Sequence, residues 1–320
     1  MRFLNGLFVS FIICAVVIFG IFTYSKSGDK SSFLSSPIPD SLSKILYPAG
    51  SANNFWLPKT NVAGITTVKK PEIIAKSAIS YDLSSDTLLY QDNIDQKVPI
   101  ASLTKIMTAV VALENMKETD EIEVSQDAAT IGEDSMGLSY GEKLTVKELL
   151  YGLFLQSGND AAEALADSSS YGRENFIHQM NKKAEDLGLT STHFTNPSGL
   201  EGDGNQYSTA HDLLVITRYA LEKPAISEIV QLPYYFIPYT SSHKAFELYN
   251  ETNLLTTYPG VKGVKTGYTD EAGLCLVTYL EYKGHRIVAI LLNSQNRRQE
   301  MKDLLDFSLK SVGVTPPNHG

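Results

Sequence analysis

The chain has 320 residues, 43% of them hydrophobic and 20% charged, which is enough for a large apolar core in one or two domains. Its net charge of -9, with basic residues in nothing longer than pairs such as Lys182-Lys183 and Arg297-Arg298, excludes a nucleic-acid partner, which needs a basic face. Two cysteines, Cys14 and Cys275, exclude a disulfide framework, and six histidines without HExxH or similar spacing indicate no metal site. No cofactor is implied.

The first segment decides the compartment. Phe3 to Tyr24 is apolar except for Asn5, Ser10 and Thr23, long enough to span a bilayer as a helix. Bulky Phe22 and Tyr24 spoil the small-residue exit that a signal peptidase needs, so residues 1–25 read as an uncleaved transmembrane anchor rather than a removed signal. Either way the rest is exported, placing the globular part outside the cytoplasm at the cell membrane. Residues 26–67, rich in Ser, Pro, Asn and Gly, read as a flexible linker. It contains the sole tryptophan, Trp56, for which packing on the domain and a place near lipid headgroups both stay open.

Residues 68–320 read as one catalytic domain. Ile73–Tyr81 and Asp86–Tyr90 are β-rich around a short Asp82–Ser85 turn, predicting a hairpin. Leu103–Met116 turns helical, with Ile106, Val110 and Leu113 on one face. Further helices are expected at Thr145–Leu155, which opens with a Thr145-x-x-Glu148 capping box, and at Asp160–Ser168, Arg173–Leu187 and Thr209–Leu221. His211 and Asp212 read as capping residues. Cys275–Tyr282 and Arg286–Asn293 form a second hairpin around Lys283-Gly284, and Arg297–Leu309 closes the chain as a helix. Strands at both ends with helices between them predict an α+β fold whose antiparallel sheet joins the domain's termini.

Acyl transfer by a serine needs an activated hydroxyl, a base in reach and donors for the developing oxyanion. Ser102-Leu-Thr-Lys105 supplies the first two, because residues three apart share a helix face. The apolar run that begins at Leu103 puts Ser102 at a helix N-terminus, whose free N–H groups favour a negative oxygen. Ser-x-x-Lys recurs at Ser27, Ser41 and Ser241, but only Ser102 opens an amphipathic helix. Ser157-Gly-Asn159 sits between two helical segments, where a tight glycine turn can aim both side chains into a cleft. Lys265-Thr266-Gly267 precedes a strand, and its glycine admits a substrate backbone. Singly, the first motif reads equally well as a cap and the other two read better as turn residues; in this order and setting the trio is specific, and it is shared by penicillin-binding proteins and class A β-lactamases.

With these motifs go the segments Pro99–Thr108, Leu149–Ala162, Thr192–Leu200 and Gly260–Gly273. Together they resemble the low-molecular-weight penicillin-binding D-alanyl-D-alanine carboxypeptidases over roughly Ile73 to Leu309. The resemblance implies a β-lactamase/transpeptidase-like fold, with an antiparallel sheet flanked by helices and a helical cluster carrying the second motif. It further implies removal of the terminal D-Ala from peptidoglycan stem pentapeptides through an acyl-enzyme on Ser102. Lys105 would act as base, Ser157 would relay a proton to the leaving amine and Asn159 would orient Lys105 and the substrate amide. Lys265, Thr266 and Gly267 would hold the carboxylate side of the substrate, aided by Arg297 or, second, Arg298. The N–H groups of Ser102 and Tyr268 would form the oxyanion hole. Implied partners are peptidoglycan stem peptides, β-lactams as covalent inhibitors, and the membrane through the N-terminal helix.

The sequence departs from many family members in carrying too little chain after Lys265 for their β-rich domain and C-terminal amphipathic anchor. The N-terminal apolar segment is expected to replace that tether. Position 268 is Tyr where some members have His. Alternatives on the same scaffold are a D,D-endopeptidase, a serine β-lactamase or a non-catalytic wall-binding protein. The lactamase is disfavoured because no Glu-x-x-Leu-Asn lies between Ser157 and Lys265. An α/β-hydrolase elbow at Gly137-Leu-Ser139-Tyr-Gly141 fails because Gly132–Met136 is no strand.

Overall fold

Strict alternation in the last strand explains why the molecule has two apolar layers. In His285–Ser294, side chains at Val288, Ile290 and Leu292 enter one core, while Ile287, Ala289 and Leu291 enter another on the opposite face. A computed structural model of the chain describes residues 56–59, 68–170 and 172–319. The described strands are β1 (Ser77–Asp82), β2 (Thr87–Asp92), β3 (Glu121–Glu123), β4 (Lys143–Thr145), β5 (Tyr234–Ile237), β6 (Phe246–Tyr249), β7 (Val261–Gly267), β8 (Leu274–Tyr282) and β9 (His285–Ser294). The described α-helices are α1 (Lys105–Asn115), α2 (Gln126–Thr130), α3 (Val146–Leu155), α4 (Asn159–Asp167), α5 (Gly172–Asp186), α6 (Ala210–Leu221), α7 (Pro224–Ile229), α8 (Leu254–Thr257) and α9 (Arg297–Ser311).

The main sheet is antiparallel, ordered β2-β1-β9-β8-β7, so the first and last strands of the domain pair directly. This is the α+β arrangement expected from the order of elements. Lys283 (φ 46°) and Gly284 (φ 86°) both take left-handed conformations, the turn that matches the twist of the β8–β9 hairpin. At the other hairpin, Asp82 accepts from Ser84 N–H (2.9 Å) and Ser85 Oγ (2.8 Å), closing the turn between β1 and β2.

On one face lies α9, whose Met301, Leu304 and Leu305 are fully buried at helical spacing against Leu276, Ala289 and Leu291. Each such side chain stabilises the fold by about 1.5–3 kcal/mol. On the other face α1, α3, α4 and α6 pack into the larger core. The capping box at the start of α3 is formed: Thr145 N–H donates to Glu148 Oε2 (2.7 Å) and Glu148 N–H to Thr145 Oγ1 (3.2 Å). His211 and Asp212 stand in the first turn of α6, but the cap itself is Thr209, whose side chain accepts from Asp212 N–H.

Three readings need correction. The segment Lys265-Thr266-Gly267 does precede a strand, β8, but it is also itself the end of a strand, β7, whose two glycines and two lysines conceal the alternation. The tight turn of the second motif is made by Ser157 itself, at φ 57°, and not by Gly158. The small hairpins β3–β4 and β5–β6 were not foreseen. Trp56 packs on the domain: its ring is edge-on to Tyr81 (5.1 Å), its Nε1 donates to Asp86 (3.0 Å), and Arg218 lies over it (4.2 Å). The apolar segment Phe3–Tyr24, Cys14 and most of the expected linker lie outside the described residues. Among described residues no helix is long and apolar enough to cross a membrane.

Candidate active site

The chain reaches Ser102 through a strained step. Ala101, immediately before it, has φ 48°, a left-handed conformation costly for a residue with a Cβ. Ala101–Thr104 form a single 3-10 turn that runs into α1, so Ser102 stands in the first turn, where backbone N–H groups lack helical partners. Two glycines hold that turn from outside. A Cβ on Gly199 (φ 91°) would lie 2.1 Å from Ala101 O, and a Cβ on Gly267 would lie 3.2 Å from Ser102 N. Neither neighbour is a flexible tip, so Gly199 is required for close backbone approach and Gly267 leaves little room for a Cβ. The second contact brings the end of β7, and with it the third motif, against the serine's own peptide.

One turn further, Lys105 is fully buried, and its Nζ lies within hydrogen-bonding distance of three oxygens. These are Ser102 Oγ (2.8 Å), Asn159 Oδ1 (2.7 Å) and the Ser198 carbonyl (2.7 Å). Burial drives its pKa well below the ordinary 10.5, and the charge of Lys265 adds to the effect against Asp134, Glu251 and Asp160, which oppose it. A depressed lysine held on a serine hydroxyl is chemically a base on a nucleophile.

Asn159 opens α4 at the end of the Ser157 turn, and its Nδ2 donates to Gly132 O (3.2 Å). Ser157 is 1% exposed beside it. The loop over this motif is clamped by Asp160, which accepts from Ser135 Oγ (2.6 Å) and from the N–H groups of Met136 (3.0 Å), Gly137 (2.9 Å) and Leu138 (2.8 Å). The Ser198 carbonyl is presented by an Asn196–Gly199 turn, in which Asn196 Oδ1 accepts from Gly199 N–H (2.7 Å). Thr108 of α1 ties down the same turn by donating to Pro197 O (2.6 Å).

On the strand side, Lys265 is also buried, and its Nζ donates to Thr266 O (3.0 Å). Burial lowers its pKa to about 8, while Glu251 and Asp134 pull upward and Arg297 pushes downward. Thr266 Oγ1 donates to Glu251 Oε2 (3.0 Å). Arg297 begins α9 half-buried behind the strand end and donates from Nη1 to Gly267 O (2.7 Å) and Cys275 O (3.3 Å). Arg298, its neighbour, is exposed. Tyr268 is 57% exposed, and its hydroxyl donates to Asp270.

The structure therefore ties Ser102, Lys105 and Asn159 into one hydrogen-bonded cluster and lays Gly267 against it. Arg297 is joined to that group through the Gly267 carbonyl and not through a side chain. Sequence reasoning gave no role to Ser198, Gly199, Asp160 or Glu251. The Asn-Pro-Ser-Gly run lay within a segment that resembles the family, but nothing in its spacing says that a turn ninety-odd residues from Lys105 meets its amine.

A buried amine bonded to a serine at the head of a helix, with a strand edge alongside, defines a serine acyl-transfer enzyme of the penicillin-recognising fold. The comparisons agree. A family profile described as D-alanyl-D-alanine carboxypeptidase matches residues 65–296. DacF of Bacillus subtilis, a D-alanyl-D-alanine carboxypeptidase, is 36% identical over 250 residues, spanning 76% of this chain and 64% of the relative. DacB2 of Mycobacterium tuberculosis, of the same description, is 37% identical over 228 residues, 71% of this chain and 77% of its own. The crystal structure of the Streptomyces K15 DD-transpeptidase superposes with a TM-score of 0.71 at 32% identity, covering 76% of this chain and all of that one. The chain belongs to the D-alanyl-D-alanine carboxypeptidase family, peptidase S11.

Proposed function

We propose that this chain is a serine D-alanyl-D-alanine carboxypeptidase that trims the terminal D-Ala from peptidoglycan stem pentapeptides. The observation that carries the reading is the fully buried Lys105 amine, 2.8 Å from Ser102 Oγ. Ser102 Oγ attacks the carbonyl of the penultimate D-Ala as its proton passes to neutral Lys105. The N–H groups of Ser102 and Tyr268 receive the oxyanion. Collapse breaks the peptide bond, and the departing D-Ala amine takes a proton through Ser157. Water then hydrolyses the ester and returns Ser102. Asn159 orients Lys105, and Lys265, Thr266 and Arg297 provide the positive side of the pocket for the substrate's terminal carboxylate.

The trio of motifs also supports acylation by β-lactams, and the missing Glu-x-x-Leu-Asn supports a long-lived penicilloyl-enzyme rather than fast turnover. Peptidoglycan lies outside the cytoplasm, and the apolar Phe3–Tyr24 segment supports tethering to the cell membrane with the catalytic domain on its outer side. A D,D-endopeptidase would use the same acyl-enzyme on a crosslinked peptide.

Incubating the full chain in detergent with a pentapeptide stem and measuring free D-Ala tests the reading. Wild type should release D-Ala, and Ser102→Ala should release none. Equal release by both, or none from a wild type that fluorescent penicillin also fails to label, contradicts it.

A further inference from the structure

The pocket assigned to the substrate carboxylate contains a carboxylate of its own. Thr266 Oγ1, a hydroxyl expected to face the incoming terminus, donates to Glu251 Oε2 at 3.0 Å. Glu251 is placed by its backbone, since its N–H donates to the Leu155 carbonyl (3.2 Å), at the end of the helix that leads into Ser157. Its side chain is therefore set between the second and third motifs while staying exposed to solvent. Beside it, the cations of the pocket are Lys265 and Arg297, and Asp134 is a second nearby anion. Two positive and two negative groups leave this wall close to neutral where a carboxylate receptor should be cationic.

We propose that Glu251 is a specificity residue, occupying the Thr266 hydroxyl and lowering the site's preference for a free carboxylate over an uncharged, amidated leaving group. The inference rests on the carboxypeptidase reading of Lys265 and Thr266 and deepens it. A free terminal carboxylate must displace Glu251 from Thr266 and sit near its charge, a repulsion of like charges. A carboxamide meets no such repulsion and can donate its own N–H to Glu251. Because the side chain is exposed, the interaction is partly screened, so the effect is a bias and not a block.

The test uses the full chain in detergent with two substrates, an N-acyl-L-lysyl-D-alanyl-D-alanine and its C-terminal amide, following release of D-alanine and D-alaninamide. Glu251→Gln should raise kcat/KM for the free acid about fivefold at low salt, the upper size of one exposed charge interaction. The gain should shrink to less than about twofold at about 0.5 M salt, and the amide should change less than about twofold. Glu251→Asp should keep the wild-type ratio. An unchanged ratio, or equal loss on both substrates as for a purely structural residue, overturns the proposal. If wild type cleaves neither peptide, the same question is read from acylation by benzylpenicillin, which carries a carboxylate. Glu251→Gln should then acylate about fivefold faster, and an equal rate overturns the proposal. A wild type that neither cleaves nor acylates removes the pocket's premise and overturns both readings.

Discussion

The two walls of the cleft each bury a lysine, and they treat it differently. On the helical wall Lys105 spends its hydrogen-bonding capacity on three neutral oxygens, and no carboxylate hydrogen-bonds to it. On the strand wall Lys265 has one backbone acceptor and an exposed carboxylate, Glu251, nearby. Glu251 and Asp134 favour the charged form of both lysines, but only Lys105 is also pushed down by the charge of the other lysine, so the helical wall makes a base and the strand wall keeps a cation. Depth of burial alone does not separate chemistry from recognition here. The partners do.

Exchanging the charge-bearing groups is the strongest way to break this contrast. Lys105→Arg keeps a permanent positive charge and cannot accept a proton, so penicillin acylation should fall by about a thousandfold or more, measured under single-turnover conditions. Lys265→Arg keeps the charge that the strand wall needs, and should cost about tenfold, mostly in KM. Equal losses in the two variants would erase the distinction between the walls.

Next in size is the backbone that holds the helical wall. Gly199→Ala drives a methyl group onto the Ala101 carbonyl, 2.1 Å away, in a left-handed conformation. It should destabilise the protein by about 2–4 kcal/mol in denaturant unfolding and slow acylation, because the displaced turn also carries the Ser198 carbonyl. Asp160→Ala removes the acceptor of four hydrogen bonds from the Ser135–Leu138 loop, and should cost about 1–3 kcal/mol by the same measurement.

Smallest and most diagnostic is the response to pH. Lys265 falls from an ordinary 10.5 to about 8 in the folded protein. Between those values the unfolded chain binds more protons than the native one, so this residue's contribution to stability rises with pH. Over the same interval Lys265 loses the charge that attracts a carboxylate. From about pH 8 to about 9.5, kcat/KM should decline while the melting temperature holds or increases, a divergence visible by parallel kinetics and thermal melts.

How much of this was legible in the sequence follows from the range of the interactions. Hairpin β8–β9 was readable because its alternation and Lys283-Gly284 turn are local, and α3 announced itself through Thr145 and Glu148. Strand β7 was not, because Gly263 and Gly267 serve close packing against Val230 and the Ser102 turn instead of filling a sheet face. Tyr234 and Phe236 are exposed, while Tyr235 between them stacks on Tyr151 at 3.7 Å. The alternation of β5 was there to be read, but the ring beneath it, Tyr151, lies far along the chain. Within the site, the Ser102–Lys105 pair followed from helical spacing. The Ser198 carbonyl and the Glu251 carboxylate reach it only through tertiary folding.

The central physical claim is that burial, helped by the charge of Lys265, pushes the Lys105 amine well below an ordinary lysine, so that it can serve as a base. Lysine side-chain nitrogen resonances of the 15N-labelled protein, assigned with Lys105→Arg and followed through pH titration, read that protonation directly. The expected result is a Lys105 amine that loses its proton at lower pH than Lys265, which titrates near pH 8. A Lys105 signal that titrates near the ordinary 10.5, above Lys265, would contradict it.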